Sequence, residues 1–564
     1  MIAAGTLLGI AAAPGRAQRV TGPWDDGSIA PRGVLRIGIT PRFEQWKDRF
    51  DTGSERLPLG SVLGDVGASF PFVSTLADDL TTVIGNSSVP LTFGSLQSRV
   101  DVTQIRTEIA LDYGLTSRLG LQALIPYVKN RVHVLANPNG DGTLGFNPSL
   151  EFPAAQQQND LVVGTTTTAA TTLTSELARC IGSSDATCAA INANRAGATA
   201  LVQQAERVST ALASVYGTTT VTGARYAPVA GSALQAAVTN RLMALNTQFR
   251  AFLGAPSSGE WITGTPVGGP PIAAAGLAAL LGDSAGALAR PLGDYEHSHV
   301  GDIEVGAKFL LVDTFGPIAV SPLPRAGAMR LAVAGIYRLG TGQLDLPGDF
   351  TDVGTGDRQA DLELRGFGDL AVGPRFWVSS VLRIGLQQPD RILRRIPGST
   401  SDIFPEAARE VEVDRNLGDV MEFEVAPRYV PNDEFSVAGF YRYRNKGADS
   451  YTGTFNVTSA DGTPLTLDAS LLNTGTAQKE QVLGFSVTYS TVRGYARGTS
   501  KWPLEVWYMH TAVMGGTSVP RMQMNGIGLR FYRTGRSSAL KLPATTPSGN
   551  ASRQPPTARG RGRG

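Results

Sequence analysis

Several features that commonly announce a fold class are scarce in this chain. Its 564 residues include only two cysteines, Cys180 and Cys188, with no further Cys or His close by, so no metal site is expected there. No long apolar run interrupts a mean hydropathy near zero, which excludes a helical inner-membrane protein. A net charge of +2 gives no reason to propose nucleic acid as a partner. No domain-sized shift in composition recurs, although the length could hold several soluble domains. No Lys or Arg precedes the apolar, Ala-rich run at 2–13. Even so, Gly15 and Ala17 flank Arg16 ahead of Gln18 as small residues do at a signal-peptidase site. Residues 1–17 are expected to be a signal peptide, either incomplete at its N-terminus or a weak signal.

What is present is alternation. Thr103, Ile105, Thr107, Ile109, Leu111 and Tyr113 alternate with Gln104, Arg106, Glu108, Ala110 and Asp112. Residues 114–118 turn the chain, and Leu119, Leu121, Ala123, Ile125 and Tyr127 share the next face. Strict period two with charge on the opposite face excludes amphipathic and spanning helices alike. Twelve such segments follow from the same reading: 34–50, two within 100–135, then 302–311, 329–339, 361–373, 375–387, 419–429, 435–444, 481–489, 504–513 and 521–532. Each is near the ~10 residues a tilted strand needs to cross a bilayer. Connections after strands two, four, six, eight and ten read as periplasmic turns, four of the five short. Those after the odd strands are long and would be extracellular. A soluble protein has no reason for this asymmetry, whereas an all-β antiparallel transmembrane barrel with both termini in the periplasm does.

The expected layout is strands one to three at 33–135, an Ala/Thr-rich helical extracellular insertion at 136–299, strands four to twelve at 300–533, and a disordered Arg/Gly/Pro-rich periplasmic tail at 534–564. Helices are expected near 73–84, 169–179, 188–216, 232–252 and 273–289. Aromatics such as Phe43, Trp46, Phe50, Tyr113, Tyr127, Phe309 and Tyr508 suit interfacial girdles. A continuous helix would hold Cys180 and Cys188 about 12 Å apart, too far to bridge. The intervening Gly-Ser-Ser-Asp turn lets two short helices fold back, so an exported chain is expected to carry a local disulfide.

The phrases Asp-Tyr-Gly-Leu-Thr-Ser-Arg-Leu-Gly-Leu-Gln-Ala-Leu-Ile-Pro-Tyr-Val (112–128) and Gly-Asp-Ile-Glu-Val-Gly-Ala-Lys-Phe (301–309) resemble those of a broad group of bacterial outer-membrane transporter-like barrels. That group includes members associated with the meta-pathway of phenol degradation. The resemblance covers the barrel and neither the insertion nor the tail, and it implies a geometry more than a ligand. Gly526, Leu529 and Phe531 in the last strand resemble the signal read by the barrel-assembly machinery, although Met524 stands where a polar residue is usual and 33 residues follow the aromatic.

No catalytic residues are expected. His297-Ser298-His299-Val300-Gly301 departs in spacing and lacks the Asn of the His-x-Ser-Asn-Gly sequence carried by an outer-membrane phospholipase family. His297 and His299 share a strand face, but nothing completes a metal cage. The charged faces predict a lumen lined by Arg36, Arg42, Arg106, Lys308, Arg330, Arg338, Arg365, Arg375, Arg383, Arg428, Arg442, Arg444 and Arg530. Glu44, Glu108, Asp112, Asp302, Glu304, Glu363, Asp369, Glu422, Glu424 and Glu505 join them. That balance predicts no strong ion selectivity, and such residues either line a pore or cross-link it shut. The expectation is a monomeric, cofactor-free outer-membrane channel for passive uptake or efflux of small molecules, hydrophobic or aromatic ones among them. Outer-membrane lipid and the assembly machinery are its expected partners. The alternative is a barrel-anchored surface binding or adhesion protein whose helical cap is the working part.

Overall fold

The computed structural model describes residues 25–64, 72–85, 89–282, 287–315, 324–400, 402–459 and 462–534. The signal peptide and nearly all of the tail lie outside these residues. Twelve strands close into a ring: β1 (Val34–Trp46), β2 (Leu96–Gly114), β3 (Leu119–Pro138), β4 (Ile303–Asp313), β5 (Met329–Leu339), β6 (Asp361–Gly373), β7 (Phe376–Gln387), β8 (Val420–Tyr429), β9 (Phe435–Lys446), β10 (Gln478–Ser490), β11 (Leu504–Thr517) and β12 (Gln523–Thr534). Neighbours pair antiparallel, and the seam closes where Val34 meets Thr534 and Gln45 meets Gln523. Closure leaves no free edge around the ring, the only way a sheet can sit in lipid.

The alternation sorts cleanly. Ile39, Phe43, Ile109, Tyr113, Leu121, Tyr127, Phe309, Leu364, Leu382, Leu483 and Leu529 are exposed on the outer wall. Arg36, Arg42, Glu108, Lys308, Arg365, Arg383 and Glu422 are buried inside it. In water such an apolar exterior would aggregate; around a charged interior it marks an outer-membrane β-barrel.

Several details differ from the sequence reading. Only the turns after β2, β6 and β8 are short; residues 314–328 after β4 and 491–503 after β10 form longer connections, the latter holding a short helix, Val492–Ala496. The fourth strand begins higher than expected. A segment Tyr295–Val300 pairs with β3, Val300 facing Tyr127, and β4 then resumes with Glu304 facing Leu124. The extra residue is a bulge at Gly301 and Asp302, and it reverses which residues point inward. β2 and β3, at 19 and 20 residues, rise well past the length a bilayer needs. The loops after β7 and β9 contribute a ribbon (Asp390–Arg395, Glu410–Asn416, Ser450–Thr452) and a hairpin (Thr454–Thr458, Pro464–Asp468).

The insertion is helical, as expected. With α1 (Phe72–Ile84) from the first loop, it supplies α2 (Pro153–Arg179), α3 (Arg195–Tyr216), α4 (Ala233–Leu253) and α5 (Ala274–Gly282). Pro153 opens α2, Asn194 caps α3 at the Gly197 N–H (2.9 Å), and Ser232 caps α4 at Gln235 (3.2 Å). α2 starts well before residue 169, at Pro153, and Thr165, Thr166, Thr167 and Thr168 donate to carbonyls four residues back, so their hydroxyls are satisfied within the helix. Cys180 and Cys188 form the expected disulfide, their Cα atoms 5.4 Å apart.

Cap and barrel share one core. It runs from Trp46, Phe440, Val482 and Val513 at the barrel mouth, through Leu59, Leu80 and Val83 of the first loop, to Leu173, Leu212, Tyr216 and Phe249 of the cap. Trp46 and Phe50, expected in a lipid girdle, are buried in this core. The apolar inner faces of the over-long strands demand a cover, and the helices provide it.

Candidate functional site: the occluded lumen

The inward side chains of β4–β9 form a lattice of ions. Arg365 bridges Glu363 and Glu304 (3.3 Å to the latter); Arg383 bridges Glu422 and Glu424 (2.9 Å to the latter). Arg338 joins Asp361 and Glu304, and Arg442 lies 3.8 Å from both Glu422 and Glu480. Across the barrel Glu108 pairs ionically with Arg42 (2.7 Å) and accepts from Arg106 (3.0 Å), while Glu505 takes Arg530 (3.0 Å) and the Tyr532 hydroxyl (2.7 Å). Glu44 is buried on β1 and Arg444 on β9; Asp112 borders a small cleft with Arg36 and Lys308.

Two predicted positions differ. Arg375 is exposed in the β6–β7 turn, because the two-residue connection carries it off the wall. Asp302 belongs to the bulge at the loop end, not to the strand ladder. Asp361 and Glu480 are wall carboxylates that the sequence reading passed over; Glu480 faces Arg444 in the register, one residue before the expected start of strand ten.

The lumen is not open. From the turn end, residues 25–31 thread back inside. The segment crosses the rim at Gly114, where an added Cβ would stand 2.1 Å from the Pro31 carbonyl oxygen, so only glycine lets it pass. Arg36 donates to the Ile29 carbonyl and the Gly27 N–H donates to Asp369 (3.0 Å). Asp26 lies 3.8 Å from Arg428, and its carbonyl accepts from Lys308. At the inner end of this segment Asp25 sits among three cations, 3.5 Å from Arg383, 3.6 Å from Arg365 and 3.7 Å from Lys308.

A second segment closes the loop end. The connection 340–360 folds inward, with Asp349, Thr351, Asp352, Thr355, Asp357 and Gln359 buried. Asn130, inward on β3, donates to the carbonyls of Val353 (2.7 Å) and Gly354 (3.0 Å). Asp302 accepts from the backbone of Gly342 (2.7 Å) and Asp357 (3.0 Å), and a Cβ at Gly356 would stand 2.3 Å from its carboxylate. Burial, reinforced by the nearby Asp357 charge, pushes the Asp302 carboxyl up to about 7. The bulge thereby turns Asp302 onto the loop that closes the mouth.

His297 and His299 face inward above the bulge with stacked rings, 6.5 Å between centroids. Among the described residues no group of three His, Cys, Asp or Glu is placed to hold a metal. Of the assembly-signal positions, Gly526 faces the lumen while Leu529 is exposed on the outer wall. One sector of the wall is uncharged: Gly484, Ser486, Thr488, Trp507, Met509, Thr511, Met524, Gly526 and Gly528 cover the inner face of β10–β12 between Glu480 and Glu505.

No family model matches the chain, and no curated protein does. Solved structures with a similar course include an outer-membrane channel from Pseudomonas putida F1 (9% identity, 91% of this chain and 100% of that one, TM-score 0.40). Others are the translocator domain of an autotransporter from Neisseria meningitidis (6%, 89% and 89%, TM-score 0.30) and a toluene transporter from Ralstonia pickettii (8%, 91% and 92%, TM-score 0.27). Likenesses this distant leave the function to be read from the lumen itself.

Proposed function

We propose that this chain is a gated outer-membrane conduit for small molecules, its loop end outside the cell and its resting lumen shut by residues 25–31. The supporting observation is how those residues are held. They form no part of the wall; polar and ionic contacts, the packing of Ile29 on the wall cluster around Leu310 and Phe367, and one rim crossing retain them, so they can leave without breaking a strand. A barrel that served only as an anchor could fill its lumen from the wall, as small barrels do. The core shared between cap and mouth makes the cap a cover of this conduit. Small apolar or aromatic solutes are the favoured cargo, because the uncharged sector offers them a path that avoids the ion lattice. Uptake, a monomeric state, and delivery by the assembly machinery belong to the same proposal.

The test pairs Gly27→Cys with Asp369→Cys, positions already in contact. In planar bilayers the oxidised variant is expected to be silent. Reduction should bring opening events back, at a frequency above wild type because the Asp369 carboxylate that holds the Gly27 N–H is gone, and removal of residues 18–30 should raise conductance further. Silence of the segment-deleted barrel, with heat-modifiable migration proving it folded, would overturn the gate.

A further inference from the structure

The uncharged sector carries an irregularity that packing alone does not explain. On β10–β12 the register sets out a grid of inward positions: Thr488 beside Trp507 beside Gly528, then Ser486 beside Met509 beside Gly526, then Gly484 beside Thr511 beside Met524. Trp507 lies over Gly528, where an added Cβ would stand 2.0 Å from the indole, and Met509 covers Gly526. Trp507, Met509 and Met524 form one apolar cluster. Yet the Ser486 Oγ, Thr488 Oγ1 and Trp507 Nε1 atoms are all buried and none has a hydrogen-bond partner. The three residues are 2%, 8% and 2% exposed. Buried polar groups in native proteins are nearly always satisfied, so three on adjacent grid positions call for a partner. The bordering charges do not meet that need: Arg42 is engaged by Glu108, and Arg530, whose guanidinium lies over the Trp507 ring 5.3 Å from its centroid, pairs with Glu505 and leaves the indole N–H without an acceptor.

Building on the conduit reading, we infer that this grid is a solute-binding subsite for a neutral, single-ring-sized molecule bearing one oxygen. The indole N–H can only donate, so it requires an acceptor oxygen; the two hydroxyls can donate to that oxygen or accept from it. Trp507 supplies an aromatic surface, and the thioethers of Met509 and Met524 supply polarizable contacts that shift with little cost as a ring enters. A few polar groups in an apolar lining are how small-molecule sites fix orientation. A pure hydrocarbon would leave all three groups unsatisfied, so the subsite selects against it. The grid selects by hydrogen bonding.

The experiment follows the Trp507 indole N–H by NMR in the full-length, 15N-Trp-labelled protein in lipid nanodiscs, with the resonance assigned through Trp507→Phe. Benzyl alcohol and its isostere ethylbenzene are titrated at matched bilayer concentrations. Benzyl alcohol should shift the resonance saturably, and ethylbenzene should need a concentration about tenfold higher or more. Thr488→Val and Ser486→Ala should each weaken the benzyl alcohol response while the other indole resonances hold their positions. Equal responses to the two probes, a drift shared by every indole, or no response from folded protein would each overturn the subsite. A saturable response without benzyl alcohol flux in proteoliposomes above that of protein-free liposomes would sink the conduit reading and leave the subsite standing. Flux without a response would do the reverse.

Discussion

The replacement Asp25→Asn probes the gate at its most connected point. The carboxylate lies 3.5–3.7 Å from Arg383, Arg365 and Lys308, all nearly buried. Removing one member of a buried ion pair costs about 3–5 kcal/mol, chiefly because the remaining charge is stranded. Here the lower end applies. Arg365 keeps Glu363 and Glu304, and Arg383 keeps Glu422 and Glu424, so most of the loss falls on Lys308. A loss of about 3 kcal/mol corresponds to a roughly hundredfold fall in the ratio of seated to displaced segment. Single-channel recording in planar bilayers should show the fraction of time open rising by about that factor. The double variant Asp25→Asn with Lys308→Met should then recover only part of that change, because the stranded cation has gone but so has its hydrogen bond to the Asp26 carbonyl. Open probability within twofold of wild type, in protein whose heat-modifiable migration is intact, would refute the claim that these ions hold the segment.

The inward loop should respond to pH through Asp302. Its carboxyl titrates near 7 when seated and near the ordinary aspartate value when released, so the seated loop holds a proton that the released loop loses between about pH 4 and 7. Seating therefore strengthens as pH falls from about 7 towards 4, and it is weakest, and level, above 7. After correction for intrinsic rates, amides of residues 340–360 should exchange faster at pH 8.5 than at pH 6, and Asp302→Asn should flatten that difference. Replacing Cys180 and Cys188 by serine opens a short loop and should cost the cap about 2–3 kcal/mol. Thermal loss of helical circular dichroism is the readout, and an unchanged midpoint would count against it. Gly528→Ala puts a methyl into the Trp507 ring and should destabilise the barrel by about 1–3 kcal/mol, seen as a lower temperature for the heat-modifiable transition. Replacing residues 140–295 with a linker uncovers the mouth core around Trp46 and Val513, so dye binding to exposed apolar surface should rise sharply.

The period-two pattern by itself determined the barrel. Twelve segments, their inward and outward faces and nearly all of the lumen charges follow from alternation, because burial in a sheet wall depends on local parity. The disulfide followed likewise from a short turn between two cysteines. The first break in legibility is the bulge at Gly301 and Asp302: one extra residue reverses parity, and nothing in the alternation of residues 303–311 announces it. Tertiary structure alone decided whether the lumen is open. Residues 25–31 and 340–360 have no strand or helix period, so their positions come from contacts such as Asp25 with Arg383 and Asn130 with the Val353 carbonyl, which join residues hundreds of positions apart. The same holds for the fate of Trp46, whose aromatic character suits a lipid girdle but whose inward parity, once the strands overshot the membrane, placed it under the cap. Periodicity specifies which side of a wall a residue takes; what fills the space behind the wall is settled by long-range charge pairing and by the need to cover apolar surface.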